Sequence, residues 1–313
     1  MLKWLVIGIG DITSKRVIPA IQAESRSELT GLVTRDLRKA EPYGVPAYSD
    51  LASALSQSGA HAVYVATPVF LHAPNTIDSL RAGKHVLCEK PVAMNYAEAC
   101  SMQLAAEKTG LTLGIAYYRR TYPKVNRALE LIQKGAIGLP VLAEANCHSW
   151  FHPDGPRDWF IDPGRAGGGP LYDIASHRID LMNYFFGQPL KVAGLLSNVV
   201  HKTAVEDAAT VLIDYESSVR AVIDVRWHSR QPRDDFRVHG TEGMMDLSPL
   251  NGPSLVYPGG SEDLSPHANL HYPCVEDFVS AVLDGRPPRA SAKSSIWTDW
   301  VTAQVMSAAG RTA

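Results

Sequence analysis

The stretch Leu2-Lys3-Trp4-Leu5-Val6-Ile7-Gly8-Ile9-Gly10-Asp11-Ile12-Thr13 decides the fold. Trp4–Ile9 is a short continuous apolar run, as expected of a strand buried on both faces of a parallel sheet. Gly8 and Gly10 fall where the chain must turn from that strand into a helix. Glycines there let backbone N–H groups approach a pyrophosphate at the helix N-terminus. Asp11 and Ile12 complete the turn, and Thr13 stands where a third glycine usually packs helix against strand. A glycine turn with no ligand has the same spacing, so the motif takes its weight from its surroundings.

Outward from this turn, Ala62–Ala66, His85–Cys88 and Thr112–Tyr117 repeat the apolar-run pattern. Helical patterns lie between them. In Ala73–Ala82 the residues Ala73, Ile77 and Leu80 share a face, with Pro74 in the first turn and Gly83 as the stop. Tyr96–Lys108 carries a second stripe of Ala97, Cys100 and Leu104. This alternation predicts an α/β fold, with a doubly wound parallel sheet in a domain of residues 1–118.

The pattern changes after Tyr118. Helices are expected at Pro123–Gln133 and Pro170–Phe186, and strands at Val141–Ser149, Lys191–Leu196, Ala208–Tyr215, Arg220–Trp227, Phe236–His239 and Met244–Leu247. Cys274–Leu283 and Ile296–Ala309 read as closing helices. Residues 119–313 are thus expected to form an α+β domain with a large, mostly antiparallel open sheet. Val211, Ile213, Val222 and Val225 put apolar residues on both alternation phases, which predicts a homodimer or homotetramer.

Composition excludes whole classes. The chain has 313 residues, 45% of them apolar and 20% charged, which suits two globular domains. A net charge of −2 gives no nucleic-acid footprint, and no run reaches the ~18–20 apolar residues of a membrane helix. Leu2–Ile9 is short for a signal peptide, and Asp11 interrupts it. Cys88, Cys100, Cys147 and Cys274 lack C-x-x-C spacing, as expected of reduced thiols in the cytoplasm.

Three segments carry chemistry. At the end of the second strand, Val33-Thr34-Arg35 is followed by Asp36, Arg38 and Lys39. A hydroxyl and cations suit the 2′-phosphate of NADP better than a ribose diol, whereas Asp36 turned inward would suit NAD. Glu89-Lys90-Pro91 follows the run His85–Cys88, at the strand ends where ligands of open α/β sheets collect. Lys90 there can aim an ammonium at a substrate oxygen, or can be a surface lysine. Finally, Gly167-Gly168-Gly169-Pro170 opens a helix on which Asp173, His177 and Asp180 stand at i, i+4 and i+7. Asp173 and His177 suit proton handling, or else a helix-dipole aspartate and a core histidine. Neither that pair nor His148 with His152 has a second ligand pair at zinc spacing, so no metal is expected. No G-x-S-x-G elbow, Walker loop or H-E-x-x-H is present.

Taken in order, the glycine turn, Thr67-Pro68, the segment Ala82-Gly83-Lys84-His85-Val86-Leu87-Cys88-Glu89-Lys90-Pro91 and the Gly-Gly-Gly…Asp173-x-x-x-His177-x-x-Asp180 helix resemble the glucose–fructose oxidoreductase, inositol dehydrogenase and MocA family. The resemblance implies an N-terminal Rossmann domain binding NADP or NAD, and a C-terminal domain for substrate and oligomer contacts. It implies hydride transfer at a hydroxyl or carbonyl carbon of a sugar, polyol, cyclitol or related small molecule. Lys90, Asp173 and His177 match the family's catalytic positions: His177 to exchange a proton, Lys90 to polarise the oxygen, Asp173 to hold hydroxyls. The expected cofactor contacts are Gly8, Gly10, Asp11, Ile12, Thr13, Thr34, Arg35, Arg38, Thr67, Pro68, His72, Glu89 and Lys90. The expected substrate contacts are Tyr117, Arg119, Arg120, His152 and Trp159, with Asp173 and His177. Two departures stand out: Phe160 follows Trp159 where family members often carry Arg, and Thr13 occupies the phosphate loop. A non-catalytic dinucleotide sensor on the same fold is the alternative, disfavoured by retention of Lys90, Asp173 and His177 together.

Overall fold

A computed structural model describes residues 1–155 and 157–310. In chain order its strands and helices are β1 Leu2–Ile7, α1 Ile18–Ala23, β2 Ser27–Val33, β3 Ala47–Tyr48, α2 Leu51–Gln57, β4 Ala62–Val65, α3 His72–Arg81, β5 His85–Cys88, α4 Tyr96–Thr109, β6 Leu113–Ile115, α5 Pro123–Gln133 and β7 Pro140–Trp150. There follow α6 Pro163–Ala166, α7 Ser176–Phe186, β8 Pro189–Ser197, β9 Ala208–Tyr215, β10 Arg220–Arg226, β11 His228–Gly240, β12 Gly243–Asp246, β13 Ser254–Tyr257, β14 Gly260–Asp263, α8 Tyr272–Asp284 and α9 Ala292–Ala308. They fall into two compact units. One comprises Met1–Ala93, Ala97–Tyr118 and His267–Ile296; the other Met94–Tyr96, Arg119–Pro266 and the chain from Trp297 onward.

The first unit is a six-stranded parallel sheet in the order β3-β2-β1-β4-β5-β6. Alternation along the strands sorts its core onto two faces. Leu5, Ile7, Val63, Val65, Val86 and Cys88 pack with Ala54 of α2, Leu80 of α3 and Met102 of α4. Trp4, Val6, Tyr64 and Leu87 pack with Ile18 and Ile21 of α1 and with Val275, Phe278 and Val279 of α8. A single cut after residue 118 leaves α8 with the second domain, whereas α8 lies in the first unit. The reason is packing: Val275, Phe278 and Val279 of α8 share one core with Trp4, Tyr64 and the α1 residues Ile18 and Ile21. The Phe278 ring meets Trp4 at 5.4 Å, and a Cβ on Gly114 would stand 3.0 Å from it.

The second unit is built on an eight-stranded sheet in the order β14-β13-β12-β11-β7-β10-β9-β8. All pairings are antiparallel except β10 with β7. Its inner face carries Ala143, Ala145, Val211, Ile213, Ala221, Ile223, Val225, Phe236 and Val238, all buried. α7 is buried along its length except at Tyr184. Phe185 meets Phe236 at 5.7 Å, Phe186 meets Tyr215 at 5.8 Å, and the Tyr215 hydroxyl donates to Asn183 at 2.8 Å. The expected helix over 170–186 opens with a π-helical turn at Leu171–Ala175 before α7 begins.

Candidate functional site

The glycine turn of the first unit has the geometry its residue types require. Gly8 adopts φ +92°, and a Cβ on it would lie 2.6 Å from the Ala66 carbonyl oxygen, so only glycine fits where β1 and β4 end side by side. Gly10 is different: a Cβ there would meet nothing within 4 Å. The protein leaves that space open on the loop where a pyrophosphate would approach the backbone. Thr13 is fully buried and its hydroxyl donates to the Gly8 carbonyl at 2.9 Å, so it closes the turn with a hydrogen bond. Asp11 pairs with Lys15 at 2.6 Å, both well exposed, and Ile12 is exposed.

At the end of β2, Arg35 is exposed. The Asp36 carboxylate receives the Arg38 guanidinium at 2.9 and 3.0 Å and the Arg38 N–H at 3.3 Å, and the guanidinium beside it holds its pKa below the usual range. The Thr34 hydroxyl donates to the Asp36 carbonyl at 3.3 Å.

The loop after β4 is organised by His72. Its ring nitrogens lie 2.9 Å from the carbonyls of Pro91 and Thr67, joining the Thr67-Pro68 turn to the chain just past Lys90. Burial pushes the His72 imidazole down, against the pull of both carbonyls. His72, expected among the cofactor contacts, has both ring nitrogens facing backbone carbonyls, to one of which the neutral ring can donate. Lys90 is half-buried at the end of β5, and its N–H donates to its neighbour Glu89 at 3.2 Å. The Glu89 carboxylate is itself buried, receiving the Tyr64 hydroxyl at 2.7 Å and His271 Nε2 at 3.2 Å. Burial raises its pKa, but the His271 and Tyr64 hydrogen bonds and the Lys90 charge outweigh this and leave it below the ordinary carboxylate value. Tyr117 is buried in the sheet core of this unit.

In the second unit Asp173 is half-buried in the π-helical turn, and His177 is buried one turn further on. Among the three glycines before them, a Cβ on Gly167, which adopts φ +84°, would lie 2.5 Å from the Tyr172 ring, as would one on Gly168. The Tyr172 hydroxyl donates to the Met94 carbonyl at 3.2 Å. Glu206, which the sequence reading passed over, is fully buried beneath the run and accepts from the N–H groups of Gly169 at 2.8 Å and Leu171 at 3.1 Å. The signal for it lay in the helix start: the first N–H groups of a buried helix need an acceptor.

The expected substrate contacts fall into two groups. Arg120 is 2% exposed and grips both oxygens of Asp180, itself 1% exposed, at 2.6 to 3.1 Å. Arg119 is buried and donates to the Asn251 side chain at 3.1 Å. Both guanidiniums thus hold internal partners. His152 is exposed, and Trp159 is half-buried with its ring 4.2 Å from that of Phe160. Phe151 stacks on Trp227 at 4.2 Å, and Arg157 lies over Phe151 and Phe160. Among the described residues no group of three or more His, Cys, Asp or Glu side chains could hold a metal ion. The four cysteines are free thiols.

Comparison with known proteins gives these elements their family. Residues 2–117 match the model of an oxidoreductase family with an NAD-binding Rossmann fold. Residues 125–246 match the glucose–fructose oxidoreductase/inositol dehydrogenase/MocA C-terminal domain. The chain is 28% identical to a 1,5-anhydro-D-fructose reductase of Ensifer adhaerens, over 95% of this chain and 93% of that one. It is 28% identical to an NADP-dependent D-xylose 1-dehydrogenase of Haloferax volcanii, over 93% and 92%. Its fold superposes on the crystal structure of an aldose–aldose oxidoreductase from Caulobacter crescentus complexed with glycerol, with TM-score 0.89 and 25% identity over 99% and 97% of the two chains. With both domain models matched in their order along one chain, this protein is an NAD(P)-binding oxidoreductase of the glucose–fructose oxidoreductase/inositol dehydrogenase/MocA family.

Proposed function

We propose that the chain is a sugar or polyol dehydrogenase/reductase in which Lys90, Asp173 and His177 handle substrate and proton. Residues 1–118 carry the dinucleotide contacts in this reading, with His267–Ile296 packed into the same unit, and the unit that contains Arg119–Pro266 carries substrate and oligomer contacts. When bound, the nicotinamide exchanges a hydride with the substrate carbon. In the reducing direction, the Lys90 ammonium stabilises negative charge on the carbonyl oxygen, His177 delivers the proton that makes it a hydroxyl, and Asp173 accepts from a neighbouring hydroxyl. In the oxidising direction each proton step reverses. The observation that carries the reading is the Lys90 segment: a half-buried lysine at a parallel strand end, its backbone N–H held by a buried carboxylate. The relatives named above are reductases and dehydrogenases, so the non-catalytic sensor gains no support.

The substrate class we infer is a cyclic polyhydroxylated carbonyl compound or its alcohol, as in the anhydrofructose and xylose enzymes to which the chain is similar. His152 and Trp159 remain the side chains offered for ring contact. NADP is the inferred cofactor, because Asp36 is engaged by Arg38 while Arg35 is exposed. Nicotinamide absorbance with both cofactors, across 1,5-anhydro-D-fructose, aldoses, inositols and trans-dihydrodiols, tests this; turnover of none of them would overturn it.

A homo-oligomer in the cytoplasm completes the proposal. Free thiols suit a reducing compartment, and among the described residues no helix is long and apolar enough to cross a membrane. On the outer sheet face, Ala193, Leu212, Val222, Glu144, Arg237, Asp246 and Val256 are neighbours from strand to strand. Apolar side chains thus flank central charges of both signs, and Leu195 nearby is 78% exposed. Such a row complements its own two-fold image. A monomer by light scattering at micromolar concentration would remove it.

A further inference from the structure

The segment His267–Tyr272, which returns to the first unit ahead of α8, touches both halves of the dinucleotide machinery. The Asn269 side chain donates to the Arg16 carbonyl at 2.8 Å, in the helix that follows the glycine turn. Its oxygen accepts the His271 N–H at 3.1 Å and so fixes where that residue enters. The His271 ring lies 4.6 Å from that of Tyr118 and is 2% exposed. Its Nε2 stands 3.2 Å from Glu89 Oε1, while Nδ1 is buried with no hydrogen-bond partner. Glu89 offers an acceptor to Nε2 and nothing offers one to Nδ1, so Nε2 is the nitrogen that donates to Glu89.

Glu89 is bonded through both of its carboxylate oxygens. One oxygen takes the Tyr64 hydroxyl and His271; the other takes the Lys90 N–H. We propose that His271 is a positioning residue for Lys90: by donating to Glu89 it keeps that carboxylate ionised and aimed, and the carboxylate in turn fixes the backbone from which the Lys90 ammonium projects. Both tyrosine and histidine are needed because an ionised carboxylate buried at 7% exposure has to replace the water it has lost. The lowered pKa of Glu89 agrees with this. The proposal rests on the role of Lys90 given above, and places the control of that role in a residue 181 positions further along the chain, on a segment that neither matched domain model spans.

The test uses full-length protein and four variants: His271→Leu, His271→Gln, Lys90→Met and the double variant His271→Leu/Lys90→Met. Turnover is read with 1,5-anhydro-D-fructose plus NADPH and with D-xylose plus NADP⁺. NADPH affinity is read by fluorescence, and protection of the Lys90 amide by hydrogen exchange. His271→Leu is expected to lower kcat ~10–100-fold, the effect of a small misplacement at a reacting group, with little change in NADPH affinity. It should also strip protection from the Lys90 amide. His271→Gln, which keeps a side-chain N–H donor, should recover most of both. In the Lys90→Met background the His271→Leu change should cost nothing more. An equal further loss there, or a His271→Leu enzyme with wild-type kcat and a protected Lys90 amide, overturns the proposal. Wild-type turnover in Lys90→Met overturns the Lys90 role instead, and the amide readout, which needs no turnover, still decides the His271–Glu89 link.

Discussion

Glu206 and Gly169 are locked together from both directions. The Glu206 carboxylate accepts the Gly169 N–H at 2.8 Å, and a Cβ on Gly169 would run into the Glu206 backbone carbonyl. The strand-end backbone before β9 and the start of the Asp173/His177 helix therefore pack at a distance only glycine permits. Gly169→Ala is expected to unseat the helix start: kcat should fall together with thermal stability. Glu206→Ala leaves two buried N–H groups without their acceptor, each worth about 1–3 kcal/mol. Glu206→Gln keeps an acceptor oxygen and should lose much less. Denaturant unfolding of the three variants checks the order, and Glu206→Ala as stable as wild type would refute the link.

Arg120 and Asp180 form a buried bidentate pair on the same helix face as His177. Removing one partner leaves an uncompensated buried charge, typically about 3–5 kcal/mol. Asp180→Asn and Arg120→Met should each destabilise by that order, and the double variant by clearly less than their sum. Additive losses in a double-mutant cycle would show the two side chains to be independent.

Asp207, next to Glu206, gathers the N–H groups of Val199 at 3.1 Å, Val200 at 2.7 Å and His201 at 3.0 Å. Burial raises its pKa, yet these donors and His228 more than offset it, so the folded value lies below the unfolded one. A carboxylate shifted this way binds its proton more readily unfolded. It contributes stability above its unfolded pKa of about 3.9, and loses it as pH falls through that value to the lower folded one. Asp207→Asn should be less stable than wild type at neutral pH, and the gap should narrow on acidification. Melting temperatures of both proteins from neutral pH downward test this; a gap that stays constant or widens would contradict it.

Phe278 shows how packing, and not chain order, defines the first unit. Phe278→Ala should cost about 3–5 kcal/mol through loss of contact with Trp4 and the cavity left beside Gly114. NADPH affinity should fall with it, because the same sheet carries the glycine turn. An unchanged denaturation midpoint would mean that α8 does not support the sheet.

What the sequence made legible follows from which signals are local. The parallel strands, β9 and α5 announce themselves by apolar periodicity, and the glycine turn by its spacing. The first half of β11, His228–Asp235, leaves no sequence signal because Ser229-Arg230-Gln231-Pro232-Arg233 has no apolar alternation; that strand exists because β7 offers it a pairing edge, with a register shift between His228 and Arg233. β13 and β14 are too short for a periodic signal. Arg119 and Arg120 read as substrate groups because a sequence shows a charge and not the side chain that holds it. Asp180, sixty residues away, and Asn251 supply what was invisible. The return of α8 to the first sheet was unreadable for the same reason: an apolar stripe does not name the face it will cover.

Cofactor choice turns on three neighbours at the end of β2. Asp36 accepts twice from the Arg38 side chain, so its carboxylate is not presented to a ribose diol, and Arg35 beside it is exposed. The 2′-phosphate of NADP carries up to two charges that a guanidinium can meet with paired donors. A charge-assisted hydrogen bond of roughly 1.5–3 kcal/mol corresponds to about 10–100-fold in kcat/KM, which is the loss expected for NADP, and not for NAD, in Arg35→Ala. Arg38→Ala acts through Asp36: with its ion-pair partner gone, the carboxylate is released to accept from ribose hydroxyls and to repel a phosphate. That variant should therefore gain with NAD as well as lose with NADP, a change of sign that Arg35→Ala does not share. Loss with NADP in both variants, but gain with NAD in Arg38→Ala alone, would establish the separate roles. An NADP preference indifferent to both arginines would place recognition of the 2′-phosphate elsewhere in the loop.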